Sequence, residues 1–295
     1  NSNTNLKQIL IHNVNLKLGI TIMIFGFFKK MFFADNLAPF VDELFFNPIG
    51  LDSFAIILGA IGFGIQLYCD FSGYSDIAIG AALILGFKIP ANFNFPFFAT
   101  SPTEFWRRWH ISLSTWVRDY LFYPMVFSNK TSKMRIFVSL FTTLFLIGIW
   151  HGAGWNFVIY GIIHGFYVGI DSTIRNKFPS ITSNIFFRSK IGKIISILAT
   201  QYLIFLSFLS FRIQKFVIFD FQMNGIDSFV LEHKLPISLI VLFVILHFIS
   251  YNNTNLRQRI ADLKLRYWAI FLTIIMMTII FFYDANPRDF IYFKF

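Results

Sequence analysis

Long apolar runs separated by short polar stretches dominate the chain. A helix crosses a bilayer with about 20 mostly apolar residues. Runs approaching that length fall at Leu16–Phe33, Phe54–Tyr68, Ile77–Phe87, Ile136–Trp150, Trp155–Ile170, Ile194–Phe211, Leu235–Ile249 and Trp268–Phe282. Ile77–Phe87 is too short to cross unaided, and Leu16–Phe33 carries Lys17, Lys29 and Lys30. These two are expected to be re-entrant or to lie along the interface. The pattern predicts an all-α, polytopic membrane protein forming one membrane-embedded domain over residues 1–295, with no soluble domain and no repeat.

The polar connections carry their own signals. Pro90, Pro96 and Pro102 in KIPANFNFPFFATSPTE exclude one uninterrupted helix, because each lacks an amide donor and clashes with the preceding turn. Ser101-Pro102-Thr103-Glu104 then reads as a helix start, with Ser as N-cap, Pro at the first position and Glu placed for a capping box. At about 100° per residue from Pro102, Trp106, Trp109, Leu113, Trp116 and Tyr120 form one apolar stripe, and Arg107, His110, Ser114 and Arg118 form a second, polar one. Two readings fit this helix. It lies at the interface with Trp at headgroup depth and Arg snorkelling to phosphates, or its polar stripe lines a water-filled cavity that serves a substrate.

Composition agrees with the pattern. The 295 residues are 56% hydrophobic and 14% charged, with 42 Phe and a mean hydropathy of +0.63, far from a soluble domain. A net charge of +10 would suggest nucleic acid in a soluble chain. Here the bases sit between apolar runs, so no nucleic acid is expected, and topology and anionic lipid headgroups account for them. Lys130, Lys133 and Arg135, and Arg188, Lys190 and Lys193, mark expected cytoplasmic loops. The single Cys69 excludes an internal disulfide and a Cys-rich metal site. The chain begins NSNTNLKQ, with no basic-then-apolar leader, so no signal peptide is expected.

Two further clusters carry candidate chemistry. In LIGIWHGAGWN, His151 follows an apolar run with no intervening charge, among Gly148, Gly152 and Gly154. The glycines permit close helix packing or close approach of a ligand to the backbone, so His151 is either a packing residue bonded to a carbonyl or a reactive one. Gly161, Gly165 and Gly169, spaced by four, read as a helix-packing face, with His164 structural. In LYCDFSGYSDIAIG, Ser72-Gly73 is expected to break the helix and Ser75 or Asp76 to cap the next. Asp70 and Tyr74 then lie at half-helix termini bordering a ligand, or in a plain surface turn.

A neutral imidazole can take the proton from a hydroxyl attacking an acyl donor, and burial favours the neutral form. There is no G-x-S-x-G motif, and no H-x-x-x-H or HExxH spacing for metal binding by His110 and His151. Direct transfer with His as base is therefore favoured over a covalent intermediate.

The stretches LYCDFSGYSDIAIGAALILGFKIPANFNFPF, SPTEFWRRWHISLSTWVRDYLFYP, LIGIWHGAGWNFVIYGIIHG and the ending FIYFKF, in that order, resemble the membrane-bound O-acyltransferase family. The likeness is to its bacterial alginate O-acetyltransferase branch, which includes peptidoglycan O-acetylating relatives. The resemblance implies a helical bundle around a funnel or tunnel, with interfacial and re-entrant helices. In the family the histidine of the W-H-G context, here His151, is catalytic, and that of the W-H-x-S-x-S motif, here His110, is the second near-invariant one. Members usually carry several further N-terminal membrane segments before the stretch resembling GFFKKMFFADNLAPF, so this sequence is expected to be the C-terminal part of a longer core.

The function expected from residues and resemblance together is a multi-pass enzyme of the cytoplasmic membrane. It passes acetyl from acetyl-CoA or an acyl carrier, with no bound cofactor and no metal, towards hydroxyls of an exported polysaccharide or peptidoglycan. His151 is the expected base, and His110 positions or polarises the thioester or acceptor. Trp106, Arg107, Ser114, Arg118, Asp70, Tyr74 and Asn156 are candidate substrate contacts. The resemblance implies an extracytoplasmic partner of the SGNH hydrolase-like type. Two rivals stay open: D-alanyl transfer to teichoic acid, and a transporter or channel whose polar stripe conducts solute.

Overall fold

The computed structural model describes residues 15–46, 53–127, 132–182, 184–212 and 226–283. Its principal helices are α1 (Leu16–Phe27), α2 (Asp35–Phe46), α3 (Ser53–Ile84), α4 (Pro102–Arg108), α5 (Ile111–Val117), α6 (Lys133–Trp150), α7 (Trp155–Lys177), α8 (Lys190–Arg212), α9 (Lys234–Asn252), α10 (Leu256–Ala261) and α11 (Leu265–Phe281). A π-helical segment, Phe28–Ala34, joins α1 to α2, and another, Arg118–Phe122, follows α5. No strand occurs among the described residues. Of these helices α3, α6, α7, α8 and α9 are long and apolar enough to cross a membrane, as expected of a multi-pass protein. The motif FIYFKF lies outside the described residues.

The described backbone packs as two compact units, one from the described residues of 15–91 and 226–283, the other from those of 92–212. The first is organised on α3. This helix runs unbroken through Ser72-Gly73, about 48 Å at 1.5 Å per residue, so the expected break and the separate short run Ile77–Phe87 are both corrected. Gly73 serves packing instead. A Cβ there would fall 2.7 Å from the Gly26 carbonyl oxygen, and one at Gly80 would fall 2.5 Å from that of Gly19. The backbones of α1 and α3 thus touch, which only glycine allows.

The lysines that interrupt Leu16–Phe33 are also accounted for. Lys30 lies 2.6 Å from Asp70 and 2.9 Å from Asp35, and Lys29 lies 2.6 Å from Asp76. Arg257 of α10 grips the same Asp76 through both guanidinium nitrogens at 2.9 and 2.8 Å. Paired and hydrogen-bonded charges tolerate burial that isolated ones do not. Residues 16–46 are therefore one continuous helical stretch packed on α3, with the lysines met by carboxylates rather than marking a break.

In the second unit α6 and α7 form an antiparallel hairpin. Hypothetical Cβ atoms at Gly161, Gly165 and Gly169 meet Phe145, Phe141 and Phe137 in turn, stepping down α6 by four. This is the packing face expected from the spacing. The hairpin places Lys133, Arg135, Arg175 and Lys177 at one end and His151 at the other.

Candidate active site

The helix expected to run on from Pro102 begins as its sequence dictates. Ser101 caps it by accepting from the Glu104 amide at 3.2 Å. Glu104 reaches back to Thr100, accepting from its amide and hydroxyl at 2.8 and 2.6 Å, one residue before the position a capping box specifies. The helix then stops. Trp109 is extended and His110 is left-handed, with φ 44° and ψ 56°, before α5 starts at Ile111.

The cause is long-range. The loop from Asn92 to Phe95 lies against the break, where the Asn94 amide donates to the Arg108 carbonyl and the Ile111 amide to the Asn92 carbonyl, both at 2.9 Å. Arg108 adds a bond to the Asn94 carbonyl at 3.1 Å. These take the place of helical bonds across residues 108–111. The two stripes drawn on a continuous helix are corrected accordingly. Trp106 and Trp109 are buried, whereas Trp116 and Tyr120 are 59% and 70% exposed.

His110 is held at the break from both sides. Its Nδ1 lies 3.3 Å from Asn92 Oδ1 and 3.3 Å from the Ser112 hydroxyl. The Ser112 amide and hydroxyl both donate to that Asn92 oxygen, at 3.1 and 2.9 Å. Asn92 is a residue that sequence reasoning passed over. The loop was legible as structured from its prolines, but nothing in KIPANFNFP marks one asparagine as reaching a histidine 18 positions on.

His151 caps the C-terminus of α6, its amide donating to the Gly148 carbonyl at 3.1 Å. Its ring is 7% exposed and sits among Phe211, Trp150, Tyr160 and Phe157, with centroids 5.2 to 6.3 Å away. Burial pushes its pKa down from the usual 6.5 to about 4. Burial does the same to His110, also to about 4, and the nearby His151 adds to the effect. Both histidines belong to the second unit, and burial favours the neutral ring in each.

The other candidate residues divide. Trp106 donates its indole N–H to His164 Nδ1 at 3.1 Å, and His164 Nε2 meets the Ser207 hydroxyl at 2.9 Å. Because that hydroxyl donates to the Ile204 carbonyl, it accepts from Nε2–H. Both ring nitrogens of His164 are thus satisfied, in keeping with its structural reading. Asn156 donates to the Phe211 carbonyl at 3.0 Å, holding the end of α8 beside the His151 ring. The Ser114 hydroxyl donates to the Trp109 carbonyl at 3.1 Å. Arg118 is half exposed and pairs with Asp119 at 2.8 Å; Arg107 is exposed. Asp70, paired with Lys30, and the exposed Tyr74 belong to the first unit.

Comparison with known proteins finds a matching family and several curated relatives. The sequence model of the membrane-bound O-acyltransferase family matches residues 2–176. A probable alginate O-acetylase of Azotobacter vinelandii is 48% identical over 159 residues, covering 53% of this chain and 31% of the relative. A peptidoglycan O-acetyltransferase of Helicobacter pylori is 37% identical over 198 residues, covering 67% and 36%. A teichoic acid D-alanyltransferase of Bacillus subtilis is 42% identical over 114 residues, covering 37% and 29%. The chain spans about a third of the length of these curated relatives.

Proposed function

Because the chain belongs to the membrane-bound O-acyltransferase family, we propose that it carries the histidine pair of an enzyme that moves acetyl from a thioester donor towards hydroxyls of an exported glycan. What supports this reading is that His110 and His151 both lie in the second unit, where burial favours the neutral imidazole in each. A hydroxyl oxygen attacks the thioester carbonyl carbon, the C–S bond breaks, and His151 takes the hydroxyl proton and passes it to the departing thiolate. An imidazole held neutral at pH 7 is ready for that step without first losing a proton.

The hairpin adds a spatial argument. His151 stands at the end of α6 remote from Lys133 and Arg135, about 27 Å away for 18 helical residues. If the basic end is cytoplasmic, a cytoplasmic thioester has to reach into the bilayer to meet the imidazole. Transfer at the far side of the cytoplasmic membrane suits a glycan exported through it, and suits an extracytoplasmic hydrolase-like partner that completes the transfer.

D-alanyl transfer is the second reading, favoured by the likeness to teichoic acid D-alanyltransferases. The matches to O-acetylating relatives extend over more of the chain, 159 and 198 residues against 114, so acetyl is preferred. The test is His151→Ala in the full-length protein, expressed in a glycan-exporting host. Base-labile acetate on the glycan is expected to fall to background while the amount of protein in the membrane stays constant. Undiminished acetate overturns the reading, and altered solute uptake with acetate intact establishes a transporter instead.

A further inference from the structure

We infer that Asn92 is a positioning residue that fixes His110 in its Nδ1–H tautomer, so that Nε2 faces the reaction as a hydrogen-bond acceptor and His110 serves the hydroxyl acceptor and not the thioester. This rests on the acyltransfer reading above and assigns within it the role of the second histidine.

The assignment follows from donors and acceptors. A backbone amide can only donate, so the Ser112 N–H, 3.1 Å from the Asn92 side chain, identifies the atom it meets as the carboxamide oxygen. The Ser112 hydroxyl spends its proton on the same oxygen at 2.9 Å. His110 Nδ1, 3.3 Å from that oxygen and 3.3 Å from the hydroxyl oxygen, therefore faces two acceptors. Only an N–H is compatible with that position, and in a neutral imidazole the other nitrogen then carries the lone pair.

Two roles were open to His110, polarising a thioester carbonyl or orienting the acceptor. Polarising a carbonyl requires a donor, and a neutral ring protonated at Nδ1 offers none at Nε2. Accepting from a hydroxyl next to the one that reacts is what this tautomer can do, which favours acceptors with neighbouring hydroxyls, as sugars have. The backbone supports the same orientation. The left-handed conformation of His110 is unfavourable for a residue with a Cβ, and the Asn92 carbonyl, accepting from the Ile111 amide, holds the turn that requires it.

The experiment compares Asn92→Ala and Asn92→Asp in membrane vesicles carrying the full-length protein, with radiolabelled acetyl-CoA and an alginate oligosaccharide as probes. Asn92→Ala is expected to lower kcat/KM for the oligosaccharide about 10- to 100-fold, by analogy with the loss of a partner that orients a metal-bound histidine, with KM for acetyl-CoA little changed. Asn92→Asp keeps an acceptor opposite Nδ1 and is expected to recover most of that loss at pH 8. Its carboxylate also favours the imidazolium, so the acid limb of its pH profile moves to higher pH.

Full activity of Asn92→Ala overturns the proposal. So do equal losses in both variants with unshifted profiles, which mark Asn92 as a brace of the turn only, and so does a loss confined to the KM for acetyl-CoA. His151→Ala in the same vesicles separates the two levels, since transfer that survives it refutes the acyltransfer reading itself and not the role of Asn92 alone.

Discussion

Replacing Asp76 with asparagine changes one charge and almost no volume, at a point where the first unit has concentrated its ionic interactions. Asp76 receives Lys29 at 2.6 Å and both guanidinium nitrogens of Arg257, and is itself 7% exposed. The change leaves two cations without their shared counter-ion. Removing one member of a buried ion pair costs about 3 to 5 kcal/mol. The lower end applies here, for two reasons. Asparagine keeps one oxygen to accept with, and the Arg257 side chain, 37% exposed, can turn to water. Lys29, at 17%, is the costlier orphan. A loss of about 3 kcal/mol lowers the folded-to-unfolded ratio by more than a hundredfold.

Reversible unfolding in mixed micelles with increasing denaturing detergent, followed by tryptophan fluorescence, reads that loss. The triple variant Lys29→Met, Asp76→Leu, Arg257→Met removes the whole cluster and is expected to recover most of it, because well-packed apolar replacements of buried ion pairs are often neutral or stabilising. A loss below about 0.5 kcal/mol in Asp76→Asn, the level of an exposed pair, refutes the reasoning. So does a triple variant less stable than the single one.

Three further outcomes are expected. Acyl transfer should hold from pH 8 down to about pH 5, since both His110 and His151 bind protons only near pH 4; a rate half-lost near pH 6.5 contradicts the burial argument. The same groups set a stability trend. Their folded pKa values lie below the unfolded 6.5, so the native state loses stability as pH falls from about 6.5 towards 4 and is unaffected above, which detergent unfolding at pH 7.5, 5.5 and 4.5 checks. Gly161→Val should destabilise by about 1 to 3 kcal/mol or more, because its Cβ would fall 2.8 Å from the Phe145 carbonyl oxygen on a backbone that cannot yield; a silent substitution means the α6–α7 hairpin is not so close.

Local signals in the sequence were read correctly where local forces decide. Ser101 and Pro102 start a helix through their own side chains, and the four-residue spacing of Gly161, Gly165 and Gly169 survives because α7 is continuous. The C-terminal end of the apolar run Ile136–Trp150 likewise falls where α6 stops, at His151. The errors have a common cause. Lys29 and Lys30 look like interruptions until carboxylates some 40 residues on meet them. Gly73 looks like a helix break until Gly26 packs on it. The Trp106–Tyr120 stripe assumed a periodicity that the loop around Asn92 cancels by bonding residues 108 and 111. In each case a partner distant in sequence overrides a local preference, and no single-chain period records that partner.

The left-handed turn at position 110 sets two demands against each other. Glycine would settle there with less conformational penalty, the relief being about 1 kcal/mol, yet it would erase the ring that meets Asn92 and that the proposed chemistry uses. Random substitution screened for backbone ease alone would drift towards His110→Gly, at the expense of the proposed acyl transfer. Thermostabilisation campaigns on this chain should therefore keep that codon fixed.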